Sequence, residues 1–129
     1  MELEEKLKKA FKELENHGEI KIEFAYLFGS YAEGTHTLTS DIDLAVYFAS
    51  NPSVDDELML HAFLTRKLKT DKIDLLVLNR AKNLILLEEV VRKGKVLYDR
   101  NPELRKMFEY KIIHSAIDFK TQRKIFAGR

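Results

Sequence analysis

Two aspartates separated by a single residue, Asp41 and Asp43, are the side chains best placed in this sequence to do chemistry. In a β-strand, residues two apart project to the same face, so the two carboxylates are predicted to lie side by side. Like charges this close repel each other unless a cation lies between them, and hard divalent ions prefer such oxygen ligands. The pair therefore predicts a magnesium site, against the simpler interpretation that Asp41 caps a loop and Asp43 faces water.

A phosphate-binding turn is predicted eleven residues before Asp41, where an apolar strand breaks at Gly29-Ser30. A residue without a side chain lets a phosphate approach the backbone, and the serine hydroxyl and nearby amides can donate hydrogen bonds to it. Each pattern alone is weak, since Gly-Ser most often marks a turn with a serine cap. The fixed order of Gly29-Ser30, ten further residues and Asp41-x-Asp43 is what points to nucleotide chemistry.

The elements that must position these residues alternate along the chain. Apolar spacing and turn signals predict helices and strands in this order: a helix over 2–17, a strand over 20–28, a helical turn over 30–33, a strand over 41–48, a helix over 53–69, a strand over 72–78, a helix over 82–93, a strand over 95–98, and a helix from 102 toward 126. This alternation indicates an α/β or α+β fold with a single mixed sheet flanked by helices. The length of 129 residues predicts one domain over 1–129.

The composition excludes several classes of protein and site. The sequence has no cysteine, so a disulfide framework, a thiolate nucleophile and Cys-ligated zinc are all excluded. No apolar run approaches the roughly 20 residues that a membrane helix needs, and the acid-rich start is unlike a signal peptide. We therefore expect a cytoplasmic protein that makes no membrane contact.

The formal net charge of +1 conceals two halves of opposite sign. Residues 1–64 hold 5 Lys or Arg against 13 Asp or Glu, a charge of −8, and residues 65–129 hold 17 against 8, a charge of +9. The basic half is a candidate surface for a triphosphate or an acidic partner. It lacks the stacked-aromatic pattern of single-strand binders, so direct nucleic-acid binding is not expected. Its candidate cations are Lys95, Arg100, Arg105 and Lys106.

The segment LFGSYAEGTHTLTSDIDLAV resembles the minimal nucleotidyltransferases of the DNA-polymerase-β-like superfamily, whose signature is Gly-Ser, ten residues and Asp-x-Asp. The later KIDLLVL resembles the family strand that supplies a third carboxylate, here Asp74. Asp74 is preferred to Asp71 because it lies inside the strand among apolar residues, where an ionisable side chain needs a partner. The tail VRKGKVLYDRNPELRKMFEYKI is similar to small antitoxins that pair with HEPN-domain ribonuclease toxins.

The resemblance implies a polymerase-β-like fold and a role for each matching residue. Gly29 and Ser30 would hold the terminal phosphates of ATP, and Asp41 and Asp43 would ligate magnesium that bridges those phosphates. Asp74 would join the other two aspartates around a second magnesium ion that activates the acceptor hydroxyl. The implied reaction transfers AMP to a protein hydroxyl, such as a tyrosine of a partner HEPN toxin in a type VII toxin–antitoxin system and a hetero-oligomer with it.

Two other interpretations stay open. The chain could be a non-catalytic antitoxin that neutralises its partner by occlusion, or it could transfer nucleotides to a small molecule or an RNA end. A chain of this length leaves little room to bind a polynucleotide, which favours an acceptor brought by another protein. His36 and Tyr31 lie close to the motif, but exposure and packing are their simpler roles, and His17, His61 and His114 have no metal-binding spacing.

Overall fold

A mixed β-sheet with helices on both faces forms the structure, a computed structural model that describes the backbone of residues 2–127 and the side chains of residues 2–121. Its elements in chain order are α1 (Glu2–Leu14), β1 (Ile22–Phe28), α2 (Ser30–Glu33), β2 (Ile42–Phe48), α3 (Val54–Leu68), β3 (Ile73–Val77), α4 (Leu84–Lys93), β4 (Lys95–Asp99) and α5 (Pro102–Ala127). The strand order is β3-β2-β1-β4, with β1 antiparallel to β2 and β4, and β2 parallel to β3. The predicted fold class is confirmed.

The central strand β1 is buried along its whole length because helices cover both faces of the sheet. On one face, α1 and α3 pack through residues such as Leu7 and Leu64. On the other face, α4 and α5 pack through Val90 and Phe108. A strand that is covered on both sides has a continuous rather than alternating apolar sequence, which explains the run that ends at Phe28.

The observed boundaries differ from the predicted ones by a few residues. The first helix ends at Leu14, and turns occupy the following residues up to β1. Asp41 lies immediately before β2 rather than inside it. The helix α4 begins later than expected because the side chain of Asn83 caps it, accepting a hydrogen bond of 3.2 Å from the amide of Leu86. Within the described residues, no helix is long and apolar enough to cross a membrane.

A network of hydrogen bonds and ion pairs connects α5 to the sheet. The hydroxyl of Tyr26 on β1 donates a hydrogen bond of 2.6 Å to Glu109. Arg105 donates to the same carboxylate at 3.0 Å and to Asp99 on β4 at 2.7 Å. Burial of Tyr26, followed by its hydrogen bond to Glu109 and the charge of that carboxylate, raises the pKa of the phenol. The hydroxyl therefore stays protonated and keeps donating to Glu109.

Tyr26→Phe is expected to lower the free energy of unfolding by about 1–2 kcal/mol, because it removes a sheltered hydrogen bond to a charged acceptor while keeping the buried ring. Denaturant-induced unfolding measures the change. Tyr98→Phe is the matched control, since the Tyr98 hydroxyl donates to Glu15 at an exposed site. A smaller loss is expected there, and equal losses in the two variants would contradict the role of burial.

Candidate active site

The turn at Gly29 brings the end of β1 directly against the carboxylate of Asp43. Phe28 and Asp43 are opposite each other in the antiparallel register of β1 and β2. Gly29 has a φ of +73°, and a β-carbon built there would lie 3.1 Å from Asp43 Cγ and even closer to its Oδ2. Only glycine suits both the backbone conformation and this contact. A group that binds at this turn therefore lies beside Asp43.

The parallel register of β2 and β3 places Asp74 beside Asp43. Paired residues project to the same face of a sheet, so the two side chains share one side. Asp41 immediately precedes β2 and adds a third carboxylate. Desolvation first, and then repulsion by Asp74 and Asp41, raise the pKa of the Asp43 carboxyl. The structure thus brings the three predicted aspartates together at the end of the sheet where Gly29 lies.

Glu89 on α4 is a fourth acidic residue near Asp43, and the sequence alone did not indicate it. Its charge also raises the pKa of Asp43. The Glu89 side chain is half-buried, and its carboxylate makes no hydrogen bond or ion pair within the described residues. The adjacent Glu88 differs, because it is paired with Arg92 and Lys120. The spacing of apolar residues along α4 does not give the orientation of the helix on the sheet. No sequence signal therefore shows which of Glu88 and Glu89 lies near Asp43.

Asp74 is exposed, contrary to the expectation drawn from its apolar neighbours. The strand β3 lies at the edge of the sheet, so its side chains are covered less than those of a central strand. Ile73 and Val77 are buried, whereas Asp74 opens to solvent. Asp71 lies in the bend before β3 and is also exposed. Exposure of Asp74 keeps its carboxylate accessible to a molecule that arrives from solution.

The loop that joins α2 to Asp41 is held beside the Gly29-Ser30 turn. The amide of Thr35 donates a hydrogen bond of 3.0 Å to the carbonyl of Ser30. The next residue, His36, stacks on the ring of Tyr31 with 4.1 Å between ring centroids. Tyr31 in turn packs against the core, whereas His36 is exposed. The stack therefore orders the loop close to the predicted phosphate-binding turn.

The other histidines do not form part of this site. His61 Nε2 lies 2.9 Å from the carbonyl oxygen of Ile73, and the ring of His17 lies edge-on to Phe63. His114 packs against Tyr110 on α5. His61 is half-buried on α3, His114 is exposed on α5, and His17 is exposed in the bend after α1.

The candidate cations divide into paired and unpaired groups. Arg100 forms an ion pair with Glu23, near the start of β1 and far from Gly29. Arg105 is held in the Asp99–Glu109 network already described. Lys106 is exposed on α5. Lys95 is different, because it pairs in register with Leu27, close to the turn at the end of β1.

The donor set of the site suits magnesium. Within the described residues, no three acidic or histidine side chains already converge as a formed metal site. The three aspartates nevertheless offer only oxygen donors. Asp41 and Asp74 repel the charge of Asp43, and a bound cation would reduce this repulsion. A hard divalent ion fits such donors better than a softer metal. The residues that would hold it are Asp41, Asp43 and Asp74.

Comparison with known proteins identifies the family of the chain. The family model described as Polymerase beta, Nucleotidyltransferase matches residues 5–103. The protein adenylyltransferase MntA of Shewanella oneidensis is 38% identical over 78 residues, which cover 60% of this chain and 55% of that relative. The chain thus matches about half the length of this curated relative.

Solved structures of toxin–antitoxin complexes contain chains with the same fold. One chain, from a toxin–antitoxin determined with AMP-PNP, has a TM-score of 0.75 and 28% identity, covering 94% of this chain and 95% of its own. Another comes from a tri-AMPylated Shewanella oneidensis HEPN toxin in complex with an MNT antitoxin, with a TM-score of 0.69, 27% identity, and coverage of 95% and 93%. With the family model matching most of its length, the chain belongs to the Polymerase beta nucleotidyltransferase family.

Proposed function

We propose that residues 1–129 act as one domain that transfers AMP from ATP to a protein hydroxyl. The observation that carries the proposal is the meeting of Gly29, Asp43 and Asp74 at one end of the sheet. The family match makes nucleotidyl transfer the reaction class. A relative that is an adenylyltransferase, and similar chains in complexes with AMP-PNP or an AMPylated toxin, support ATP and a protein acceptor.

In this proposal, Gly29 and Ser30 hold the terminal phosphates of ATP. The absent side chain at Gly29 leaves the turn open to a phosphate. The hydroxyl of Ser30 makes no hydrogen bond within the described residues, so it is available as a donor. Asp41 and Asp43 are the proposed ligands of magnesium at the phosphates, and Asp74 joins them for a second ion. Bound magnesium supplies charge neutralisation and a lowered pKa of the acceptor hydroxyl.

The reaction then needs no covalent intermediate on the enzyme. The oxygen of the acceptor hydroxyl attacks the α-phosphorus, the bond from that phosphorus to the oxygen bridging the α- and β-phosphates breaks, and pyrophosphate leaves. The acceptor keeps AMP as a phosphate ester, and its hydroxyl proton passes to solvent. Asp74 is exposed on an edge strand, where it can meet an incoming hydroxyl. The role of the chain is to hold the two reactants in line.

The acceptor is proposed to be a tyrosine of a HEPN toxin, so that the chain is a cytoplasmic type VII antitoxin. The open site favours this, because Asp41 and Asp74 are exposed and no other element of the described chain covers them. The outer side of α5 also exposes Met107, Tyr110 and Ile117. Exposed apolar residues on one helix side are typical of partner surfaces.

The same α5 surface would equally serve an antitoxin that acts by occlusion. The two functions are separated by incubating the product of the neighbouring gene, the proposed toxin, with labelled ATP, magnesium and either the wild type or the Asp41→Asn/Asp43→Asn double variant. We expect label on the toxin with the wild type and none with the double variant. A double variant that neutralises the toxin as well as the wild type at equal concentration would establish occlusion instead, and label on RNA or a small molecule would replace the protein acceptor.

Asp74→Asn is expected to lower the rate of transfer at least about 100-fold while leaving ATP affinity nearly unchanged, because its proposed role concerns the acceptor hydroxyl. Rapid-quench transfer assays and calorimetric titration with ATP measure the two quantities separately. Asp71→Asn is the matched control, since this aspartate is also exposed but lies before β3. A large loss of ATP affinity in Asp74→Asn would refute the assignment to the acceptor.

A further inference from the structure

The junction between α4 and β4 is fixed against the end of β1 that carries the Gly29 turn. The amide of Gly94 donates a hydrogen bond of 2.9 Å to the carbonyl of Val90. A β-carbon built at Gly94 would clash with that carbonyl oxygen and lie 3.4 Å from the carbonyl oxygen of Leu27. Leu27 also pairs in register with Lys95. Because Leu27 is two residues before Gly29, the junction lies close to the proposed phosphate site.

Two lysines flank this junction glycine. Lys93 Nζ lies 3.6 Å from Glu33 Oε1, and Glu33 belongs to α2, the helical turn that starts at Ser30. Lys95 is exposed, and its ammonium makes no ion pair or hydrogen bond within the described residues. Lys93 therefore lies beside α2, and Lys95 lies at the start of β4 next to the end of β1.

Three arginines of the basic half, Arg92, Arg100 and Arg105, cannot serve in their place without breaking ion pairs. Arg92, one residue before Lys93, donates to Glu88 at 2.9 Å. Arg100 and Arg105 are engaged by carboxylates in the interior of the network that joins β1, β4 and α5. The pair between Lys93 and Glu33 differs, because its side chains are 62% and 37% exposed, whereas the carboxylates that hold Arg92 and Arg100 are each only 11% exposed. Such an exposed pair is weak, so a phosphate can displace Glu33 at little cost.

A triphosphate needs these charges because the site is otherwise acidic. Asp41, Asp43, Asp74 and Glu89 all add negative potential near the turn. Magnesium would offset part of it, but the outer phosphates gain further charge when they depart as pyrophosphate. A fixed cation directed at developing charge stabilises the transition state.

We propose that Lys93 and Lys95 form the cationic side of the triphosphate site and bind the two outer phosphates of ATP. This inference rests on the proposed function and deepens it by assigning the leaving pyrophosphate to residues outside the Gly-Ser and Asp-x-Asp motif. During transfer, the bond between the α-phosphorus and the bridging oxygen breaks, and the electron pair stays with the pyrophosphate that the lysines hold.

Substitution of the two lysines by methionine tests the proposal, because methionine keeps much of the side-chain length and removes the charge. Calorimetric titrations with ATP and with AMP measure binding without any transfer reaction. Each single variant is expected to bind ATP about 10-fold more weakly, equivalent to about 1.4 kcal/mol. The Lys93→Met/Lys95→Met double variant is expected to lose about 100-fold if the two effects add. AMP affinity is expected to stay nearly constant, since AMP lacks the outer phosphates.

The control variant also removes two positive charges, but it removes them from α5. Lys106→Met/Lys111→Met takes two exposed lysines from α5 and is expected to change ATP affinity by less than about twofold, since exposed charges at a distance are screened by salt. An unchanged ATP affinity in the Lys93→Met/Lys95→Met variant would overturn this inference alone, as would an equal loss in the α5 control or an equal loss for AMP. A wild-type chain that binds no ATP would overturn the proposed function as well.

Discussion

Asp43→Asn is expected to lower the rate of AMP transfer by at least about a thousandfold, which corresponds to about 4 kcal/mol of lost transition-state stabilisation. Asp43 is the central carboxylate of the site, paired in register with Asp74 and preceded by Asp41. An amide has nearly the shape of the carboxylate but carries no charge to hold a divalent cation. Single-turnover transfer from ATP to the HEPN toxin measures the loss.

The same substitution is expected to leave the unfolding temperature unchanged or to raise it. In the wild type, Asp43 is desolvated and repelled by Asp74, Asp41 and Glu89, so removing its charge relieves repulsion in the folded state. Functional sites often lower the stability of the folded protein, so a substitution that abolishes function can raise the unfolding temperature. Magnesium is expected to raise the unfolding temperature of the wild type and not that of Asp43→Asn, because a ligand stabilises only the protein that binds it.

Asp71→Asn provides the control for both measurements, since this exposed aspartate lies outside the register of β2 and β3. It is expected to keep the transfer rate and the thermal response to magnesium. An active Asp43→Asn variant, or one whose unfolding temperature rises with magnesium as the wild type's does, would contradict the assignment of Asp43 as a metal ligand.

Gly29→Ala is expected to destabilise the fold by about 2–4 kcal/mol and to abolish transfer, since two penalties combine at this position. The φ of +73° disfavours any residue with a β-carbon, and the added β-carbon meets the carboxylate of Asp43. The collision would move either the phosphate-binding turn or the proposed metal ligand. Denaturant unfolding measures the stability, and the labelling assay with the HEPN toxin measures transfer.

Gly34→Ala separates the two penalties. Gly34 has nearly the same backbone conformation, with a φ of +75°, but nothing lies within 4 Å of a β-carbon built there. Only the backbone cost of about 1–2 kcal/mol is therefore expected. Adding Asp43→Ala to Gly29→Ala is expected to recover part of the lost stability, because the nearest clashing atom is removed. Equal losses at Gly29 and Gly34, without such recovery, would show that the contact with Asp43 is unimportant.

Local patterns were sufficient to predict most of the fold and to single out Gly29, Ser30, Asp41 and Asp43 as candidate site residues. The alternation of helices and strands, and the Gly-Ser turn before Asp41 and Asp43, depend on residues close together in sequence. The third aspartate required the family resemblance, because the register between β2 and β3 joins residues about thirty positions apart. Exposure of Asp74 could not be predicted, since it depends on the strand order that leaves β3 at the edge of the sheet.

Local patterns also could not predict that Glu89 and Lys93 on α4 lie near Asp43 and Glu33. Glu89 and Lys93 read as ordinary polar positions of an amphipathic helix. Their proximity to Asp43 and Glu33 depends on the direction in which α4 crosses the sheet. Composition had suggested the basic half of the chain as a triphosphate surface, but Arg100 and Arg105 are tied to carboxylates in the fold. Of the four cations that the sequence suggested, the structure places Lys95 next to the end of β1, and it adds Lys93 through its contact with Glu33.

The central claim is that the chain transfers AMP from ATP to a protein hydroxyl. Following the α-phosphate and the γ-phosphate of ATP separately tests this claim most directly. The HEPN toxin, magnesium and this chain are incubated with ATP labelled either on the α-phosphate or on the γ-phosphate, and the label bound to the toxin is then counted. AMP transfer predicts that the α-label becomes covalently attached to the toxin, that the γ-label is released as pyrophosphate, and that Asp43→Asn gives neither product. Attachment of the γ-label, or neutralisation of the toxin by wild type and Asp43→Asn alike with neither label attached, would contradict it.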